Sequence, residues 1–117
     1  MAHITGIGGV FFRSADPVAL AAWYKTHLGI AAGHDQIWQQ AAGMTIFAPF
    51  QADSDYFPTG QQTMLNLRVD DLAGLIADLT AAGIAVETRA EWDGDYGKFA
   101  RIHDPDGKAI ELWQPPG

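Results

Sequence analysis

The chain has 117 residues, enough for one folded domain with a hydrophobic core but not for two independent ones. Hydrophobic residues make up 48% and charged residues 18%, which argues against disorder, and the absence of cysteine excludes disulfides and thiolate metal ligands. The net charge of −7 argues against nucleic acid as a partner, because phosphate backbones are bound by Lys and Arg. With no apolar run as long as a membrane span and no basic secretory start, the expected location is the cytoplasm, with no membrane partner.

The first half of the chain predicts a strand, a helix and three shorter strands. Apolar side chains alternate over residues 6–13, as they do in a strand. Asp16 followed by Pro17 is a typical helix start, and apolar residues recur at three- and four-residue intervals until Leu28, where Gly29 ends the helix. The shorter strands are predicted around residues 30–32, 36–40 and 44–49.

The same order begins again after a polar, turn-rich linker at residues 50–61. Residues 63–69 alternate as a strand, Asp71 caps a second helix that Gly83 ends, and residues 84–88 predict a further strand. The apolar helix positions are Leu72, Leu75, Ile76 and Leu79.

The second half closes with a predicted antiparallel hairpin. Residues 99–103 and 109–113 alternate with period two, and Asp104-Pro105-Asp106-Gly107 between them is typical of a tight turn. Glu111 lies in the middle of the second strand, where a carboxylate is the least expected residue. An exposed or salt-bridged Glu is the ordinary interpretation, and a carboxylate that points into a pocket is the alternative.

The two halves therefore indicate an internal duplication. Asp16 matches Asp71, and the same holds for Arg13 with Arg68 and for Gly29 with Gly83. We predict that residues 4–49 superpose on residues 62–113, with each helix packed on the sheet of its own half. The opposite faces of the two sheets would then enclose a shared cleft.

On these motifs the chain resembles the vicinal oxygen chelate superfamily, which contains glyoxalase I, bleomycin-resistance proteins and extradiol dioxygenases. The matching stretches are Asp16-Pro17 to Leu28-Gly29, Val69-Asp70-Asp71-Leu72 to Ala82-Gly83, and Asp104-Pro105-Asp106-Gly107 with Ile110-Glu111-Leu112. The resemblance implies an α+β fold of two βαβββ modules within one domain, spanning about 4–49 and 62–115. It further implies a curved mixed sheet around a central cleft, and a homodimer.

Metal-binding members of this superfamily take ligands from the first and last strand of each module. The corresponding positions here are Gly9, Phe47, Met64 and Glu111, of which only Glu111 has a suitable side chain. Gly and Phe cannot bind a metal, and a Met thioether is unsuited to hard divalent ions. We therefore expect no cofactor and no divalent metal in the cleft.

Strand alternation places a set of mainly aromatic and polar side chains on the concave face. The candidate ligand-binding residues are Phe11, Phe47, Met64, Asn66, Arg68, Phe99, Arg101 and Trp113, and the candidate catalytic residues are Glu111 and His103. Each of these residues also has an ordinary structural interpretation. The apolar side chains could pack in the core, Arg13 and Arg68 could form salt bridges, and His103 could lie on the surface beside the turn. The pattern around Trp38 does not show to which face of the sheet its side chain points. The loop from Trp92 to Tyr96 is either a lid over the cleft or a solvated turn.

Two functions fit these residues. The first is a glyoxalase/bleomycin-resistance-like protein that binds a small apolar or aromatic molecule in a metal-free cleft. The alternative is an enzyme (a lyase, an isomerase or a dioxygenase-like protein) in which Glu111 is a general base or a residual metal ligand. The expected partner of the Glu111 carboxylate is Arg68 or Arg101, or a cationic group on the ligand. Loss of the Glu111 charge is expected to leave the empty protein equally stable or more stable.

Overall fold

The computed structural model describes residues 1–117 and contains two helices on one three-stranded sheet. The elements are α1 (Pro17–Leu28), β1 (Leu65–Arg68), α2 (Leu72–Ala81), β2 (Lys98–His103) and β3 (Ala109–Gln114), with a short 3-10 helix at Ala90–Trp92. The sheet order is β1-β3-β2, in which β1 is parallel and β2 antiparallel to the central strand β3. The mixed sheet confirms the predicted α+β class. No helix is both long and apolar enough to cross a membrane.

Both predicted helices form with the predicted caps. The Asp16 carboxylate accepts a hydrogen bond from the Ala19 amide at 3.1 Å, and the Asp71 carboxylate accepts one from Gly74 at 3.0 Å. Gly29 ends α1 in the left-handed region, with φ at +67°. These local signals were readable from the sequence because each is satisfied within a few residues of the helix end.

The predicted hairpin forms as well, and the Asp104 carboxylate organises its turn. One carboxylate oxygen accepts hydrogen bonds from the Asp106 amide at 2.9 Å and from the Lys108 amide at 3.0 Å. The other accepts the Tyr24 hydroxyl of α1 at 2.9 Å. Burial and the neighbouring carboxylate raise the pKa of Tyr24 well above its usual range, so the hydroxyl remains a donor.

The core lies between the two helices and one face of the sheet. Leu20 and Tyr24 of α1 are buried in the same cluster as the apolar residues of α2, β2 and β3. The buried members of the cluster are Leu20, Tyr24, Leu72, Leu79, Ala100, Ile102, Ile110 and Leu112. Helix α1 therefore packs on the sheet of the second half, and the prediction that it packs on a sheet of its own half is wrong.

The strands predicted in the first half are wrong too. Residues 6–13, 30–32, 36–40 and 44–49 contain no strand. Neither residues 1–15 nor residues 37–50 make any backbone–backbone hydrogen bond. The alternating pattern that predicted these strands is present, but a strand requires a neighbour for its amides and carbonyls, and the single chain provides none. The two-module architecture is therefore not confirmed.

The strand predicted at residues 84–88 is reduced to one bridge. Glu87 and Arg101 exchange two backbone hydrogen bonds of 2.8 Å at the outer edge of β2. Residues on either side of Glu87 diverge from β2, so the bridge does not extend into a ladder.

Candidate functional site

Polar side chains from all three strands form a row across the face of the sheet opposite the helices. Asn66 of β1 is paired with Glu111 of β3, which is paired in turn with Arg101 of β2. Because side chains alternate along a strand, residues in register across three strands point to the same face. The alternation predicted for these three residues is confirmed by this register.

Glu111 is 7% exposed, so its carboxylate is buried and the interpretation as an exposed residue is wrong. One carboxylate oxygen accepts a hydrogen bond from the Asn66 amide at 2.6 Å, and the other accepts the Tyr56 hydroxyl. Neither Arg68 nor Arg101 forms an ion pair with it; the structure shows one ion pair, between Arg89 and Glu87. The predicted arginine partner is therefore wrong, because neutral donors occupy both oxygens.

Tyr56 comes from the linker, which sequence reasoning assigned no role in the site. Its burial, and the hydrogen bond to the Glu111 carboxylate, raise its pKa to about 12, while the nearby Arg101 opposes this rise. At neutral pH the hydroxyl is therefore a firm donor to Glu111. The available signal was the hydroxyl of Tyr56 among the aromatic residues of the linker, since Trp and Tyr often combine an apolar ring with one polar contact.

Arg101 lies between two aromatic rings. Its guanidinium carbon is 5.1 Å from the Tyr56 ring centroid and 5.5 Å from that of Trp92. One terminal nitrogen donates to the Tyr56 carbonyl at 2.8 Å and contacts the Met64 sulfur at 3.7 Å, while the buried Nε has no partner. This leaves a fixed positive charge, with one terminal nitrogen bonded to the protein, beside a carboxylate that accepts one hydrogen bond at each oxygen.

A second row lies next to the first and is aromatic. Phe99 of β2 is paired with Trp113 of β3, and their rings are stacked with centroids 6.2 Å apart and planes 9° apart. The Trp113 indole donates to the Tyr96 carbonyl at 2.7 Å, so the loop before β2 holds the ring in place. The Trp92–Tyr96 loop therefore borders this face through Trp92 and through the Tyr96 backbone, while the Tyr96 ring is 79% exposed.

The remaining second-half candidates lie at the ends of the rows. Arg68 pairs with Trp113 in the register, but its guanidinium is occupied by the Ala41 carbonyl at 3.0 Å. Met64 contacts Arg101, at the edge of the first row. His103 lies opposite Ala109, is exposed and makes no hydrogen bond, so the structure does not bring it to Glu111.

Three aromatic residues of the first half do not reach this face. Phe11 is 96% exposed and Phe47 is 85% exposed. Trp38 lies in a different groove, which Leu28, Leu67 and Leu75 also line. This face of the sheet is therefore lined by the second half and the linker, and by none of these three residues.

The site does not fit a divalent metal. No group of three His, Cys, Asp or Glu side chains is placed to hold one. At the positions implied by the superfamily, Gly9, Phe47 and Met64 offer no hard ligand, and both oxygens of Glu111 already accept hydrogen bonds. The hydrogen-bond donors of this face are suited to orienting an organic molecule that lies against the aromatic rings.

The chain matches one family model and is similar to two solved structures. The family model for a glyoxalase-like domain matches residues 9–113. The chain is similar to the crystal structure of TnmS3, an antibiotic binding protein from Streptomyces sp. CB03234, with 27% identity, a TM-score of 0.62, and coverage of 99% of this chain and 100% of that one. A glyoxalase/bleomycin resistance protein from the same strain shows 39% identity over 43% of this chain and 42% of its own, with a TM-score of 0.34. No curated protein matches the chain in sequence.

Proposed function

The chain belongs to the glyoxalase-like domain family of the vicinal oxygen chelate superfamily, and we propose that it binds a small aromatic molecule of the antibiotic type without a metal. The observation that carries this proposal is the pair of rows on one face of the sheet. A fixed cation and an amide in the first row lie beside stacked aromatic rings in the second. Full-length similarity to an antibiotic binding protein supports the same class of ligand.

The aromatic surfaces would supply most of the affinity. Trp92 lies against Arg101, and Phe99 is stacked with Trp113 in the neighbouring row. Planar ligands gain both apolar burial and stacking from such rings. A ring system that enters this space can replace water on Trp92 and Phe99, which are only partly buried. The ligand class is therefore planar and aromatic rather than a flexible aliphatic chain.

Arg101 and Asn66 would orient the ligand. Arg101 is a half-buried cation whose hydrogen bonds to the protein use only one terminal nitrogen, and Asn66 is exposed while its amide donates to Glu111. Carbonyl, phenolate or carboxylate oxygens on the ligand would accept from these groups. In this arrangement Glu111 does not contact the ligand as a base. It holds Tyr56 and Asn66 in position.

The alternative function, an enzyme with Glu111 as general base, is less favoured by the contacts. A general base must lie within hydrogen-bonding reach of the substrate proton, whereas Glu111 is 7% exposed and each of its oxygens already accepts one hydrogen bond from the protein. His103, the proposed assistant, is exposed and makes no bond to Glu111. Binding without turnover is therefore the better-supported proposal.

Binding and turnover can be tested together. We would titrate the protein with tetracycline, doxorubicin and bleomycin in buffer containing EDTA, and follow the tryptophan fluorescence, since Trp92 and Trp113 lie at the site. We expect at least one of these to bind with a dissociation constant of about 10 μM or lower. Each mixture would then be analysed by mass spectrometry. An unchanged compound supports a binding protein, a modified one supports the enzyme, and no binding by any of the three contradicts this ligand class.

A further inference from the structure

The linker at residues 50–61 is joined to the polar row of the sheet through one residue. The Tyr56 hydroxyl donates to Glu111, and the Tyr56 carbonyl accepts a hydrogen bond from Arg101 at 2.8 Å. The Tyr56 ring also lies against the Arg101 guanidinium, with 5.1 Å between the ring centroid and the guanidinium carbon. All three contacts are with charged side chains of this row, so Tyr56 lies over the part of the site that carries charge.

Few other contacts hold the linker to the rest of the chain. Within residues 50–61, only Tyr56 and Gln61 make hydrogen bonds to residues outside this range. The other backbone bonds of the linker close its own turns, from the Ser54 amide at 3.0 Å and from the Gln61 amide at 2.9 Å. A segment with so few external contacts can open locally while the domain stays folded, because little has to be broken.

Gln61 fixes the end of the linker to the central strand. Its side-chain nitrogen donates to the Ala109 carbonyl, and its side-chain oxygen accepts from the Ala109 amide, both at 2.9 Å. The same nitrogen donates to the Thr63 carbonyl at 2.9 Å. The two bonds to Ala109, which is 1% exposed, resemble the exchange between paired residues of two strands. Gln61 is therefore a fixed point about which the residues before it can move.

The aromatic residues beside Tyr56 pack on one another within the linker. Phe50 contacts both neighbouring rings, with centroid distances of 5.7 Å to Tyr56 and 5.6 Å to Phe57. Phe50 itself is 50% exposed. Because these contacts lie inside one segment, the three rings can move together and keep their mutual packing.

The contacts of Tyr56 also restrict access to Arg101. The guanidinium lies between the rings of Tyr56 and Trp92, and one terminal nitrogen is bonded to the Tyr56 carbonyl. Release of Tyr56 removes one of the two rings and frees this nitrogen. The open linker therefore gives a ligand a path to the guanidinium, which the closed linker blocks on that side.

We propose that the linker is a lid over the polar row, with Gln61 as its hinge and the hydrogen bond from Tyr56 to Glu111 as its latch. A ligand enters when the latch opens and is enclosed when it closes again, so the latch sets the rates of entry and release. The identity of what enters rests on the proposed function, whereas the latch is a property of the protein without ligand. Tyr56 is thus a positioning residue, which acts through the movement of the linker.

Chymotrypsin measures the opening of this lid without any ligand. The protease cleaves after Tyr and Phe, and Pro58 blocks cleavage after Phe57, so cleavage at the latch falls between residues 56 and 57. Tyr56→Phe keeps a residue that the protease accepts and removes only the hydroxyl. We expect the 56–57 bond to be cleaved about tenfold faster in Tyr56→Phe than in wild type, with each rate normalised to that of the unfolded chain. Equal rates would overturn the proposal.

Two controls separate opening of the lid from other effects. Thr59→Val removes an exposed hydroxyl from the same linker and should leave the cleavage rate unchanged. Cleavage after Phe99, within β2, requires the sheet to open. In wild type the 56–57 bond should be cleaved faster than the 99–100 bond, and low concentrations of urea should accelerate only the latter, since local opening exposes little surface. Equal rates with equal urea dependence would mean that the linker opens only when the domain unfolds, and would overturn the lid.

Ligand kinetics test the same latch with the site filled. The probe is whichever of tetracycline, doxorubicin and bleomycin binds wild type most tightly, followed by stopped-flow tryptophan fluorescence. Its dissociation should be about tenfold faster from Tyr56→Phe than from wild type, and unchanged in Thr59→Val. Equal dissociation rates from Tyr56→Phe and wild type would overturn the lid while the binding function stands. Absence of binding by all three compounds contradicts the binding function alone, because proteolysis decides the lid independently.

Discussion

Glu111 and Arg101 face each other directly across the β2–β3 ladder and yet form no ion pair. Tyr56 and Asn66 satisfy the carboxylate, and the guanidinium lies between the rings of Tyr56 and Trp92. The opposite charges are therefore held apart by their own neutral partners. Arg101 consequently keeps donor capacity, and the site can offer a cation to a ligand.

The first prediction concerns the charge of Glu111. In Glu111→Gln a neutral amide replaces a carboxylate that accepts two hydrogen bonds, and bonds to charged groups are the stronger ones. We expect the free energy of unfolding in urea to fall by about 1–2 kcal/mol. This reverses the expectation from sequence, in which an unsatisfied anion would be relieved by the substitution. The control is Glu91→Gln at an exposed position, with a change below about 0.5 kcal/mol. A Glu111→Gln variant as stable as wild type would show that the two bonds contribute nothing.

The second prediction concerns the pH dependence of stability. The pKa of Tyr56 is raised from 10.0 to about 12 in the folded protein, so between these values the folded chain keeps a proton that the unfolded chain loses. Stability from this residue is complete below pH 10 and is lost as the pH rises toward 12. Tyr56→Phe should therefore show a shallower fall in unfolding free energy over this window than wild type does. Equal slopes in the two proteins would contradict the assigned pKa shift.

The third prediction concerns the backbone next to Trp113. Gly97 has φ at +117°, and a methyl group on it would overlap the Gln114 carbonyl oxygen. Gly97→Ala should destabilise the protein by about 1–3 kcal/mol, because both strain and overlap result. Gly94→Ala is the matched control in the same loop, since nothing lies within 4 Å of its added methyl group. The measurement is the thermal unfolding midpoint of each variant. Similar midpoints for Gly97→Ala and Gly94→Ala would contradict the prediction, because they would mean that the loop accommodates the added methyl group.

The fourth prediction concerns metal. Because the positions implied by the superfamily offer one carboxylate and no second hard ligand, we predict that tag-free protein binds no divalent ion at this site. Unfolding midpoints should be the same with EDTA and with added zinc or nickel, since a bound ion would stabilise the folded state. Stoichiometric metal in elemental analysis, together with an EDTA-sensitive midpoint, would contradict the metal-free proposal.

The sequence predicted well those features that are satisfied locally or within the second half. Asp16 and Asp71 cap helices within three residues, and the turn at Asp104 is closed by its own carboxylate. Strand alternation placed Glu111 and Arg101 on one face, because the hairpin register follows from a short turn.

The predictions that were wrong share one physical cause: each concerned a residue whose structure depends on partners far away in the sequence. Alternation at residues 6–13 indicates strand character, but it does not say which strand lies alongside, and within one chain none does. The donor from Tyr56 reaches Glu111 across 55 positions of sequence, and no periodicity encodes that contact. Opposite charge made an arginine the expected partner of Glu111, whereas in the structure the Tyr56 hydroxyl and the Asn66 amide donate to it.

The most direct test of the proposed binding site compares two arginines that contact the same ring. Arg101 and Arg89 both lie over Trp92, at 5.5 and 5.2 Å, but only Arg101 belongs to the polar row, whereas Arg89 is paired with Glu87 at the surface. The measurement is the affinity for whichever of tetracycline, doxorubicin and bleomycin binds wild type most tightly, in Arg101→Gln and Arg89→Gln. The account predicts a loss of about tenfold or more for Arg101→Gln and no change for Arg89→Gln. Equal affinities in wild type and Arg101→Gln, or equal losses in both variants, would contradict it.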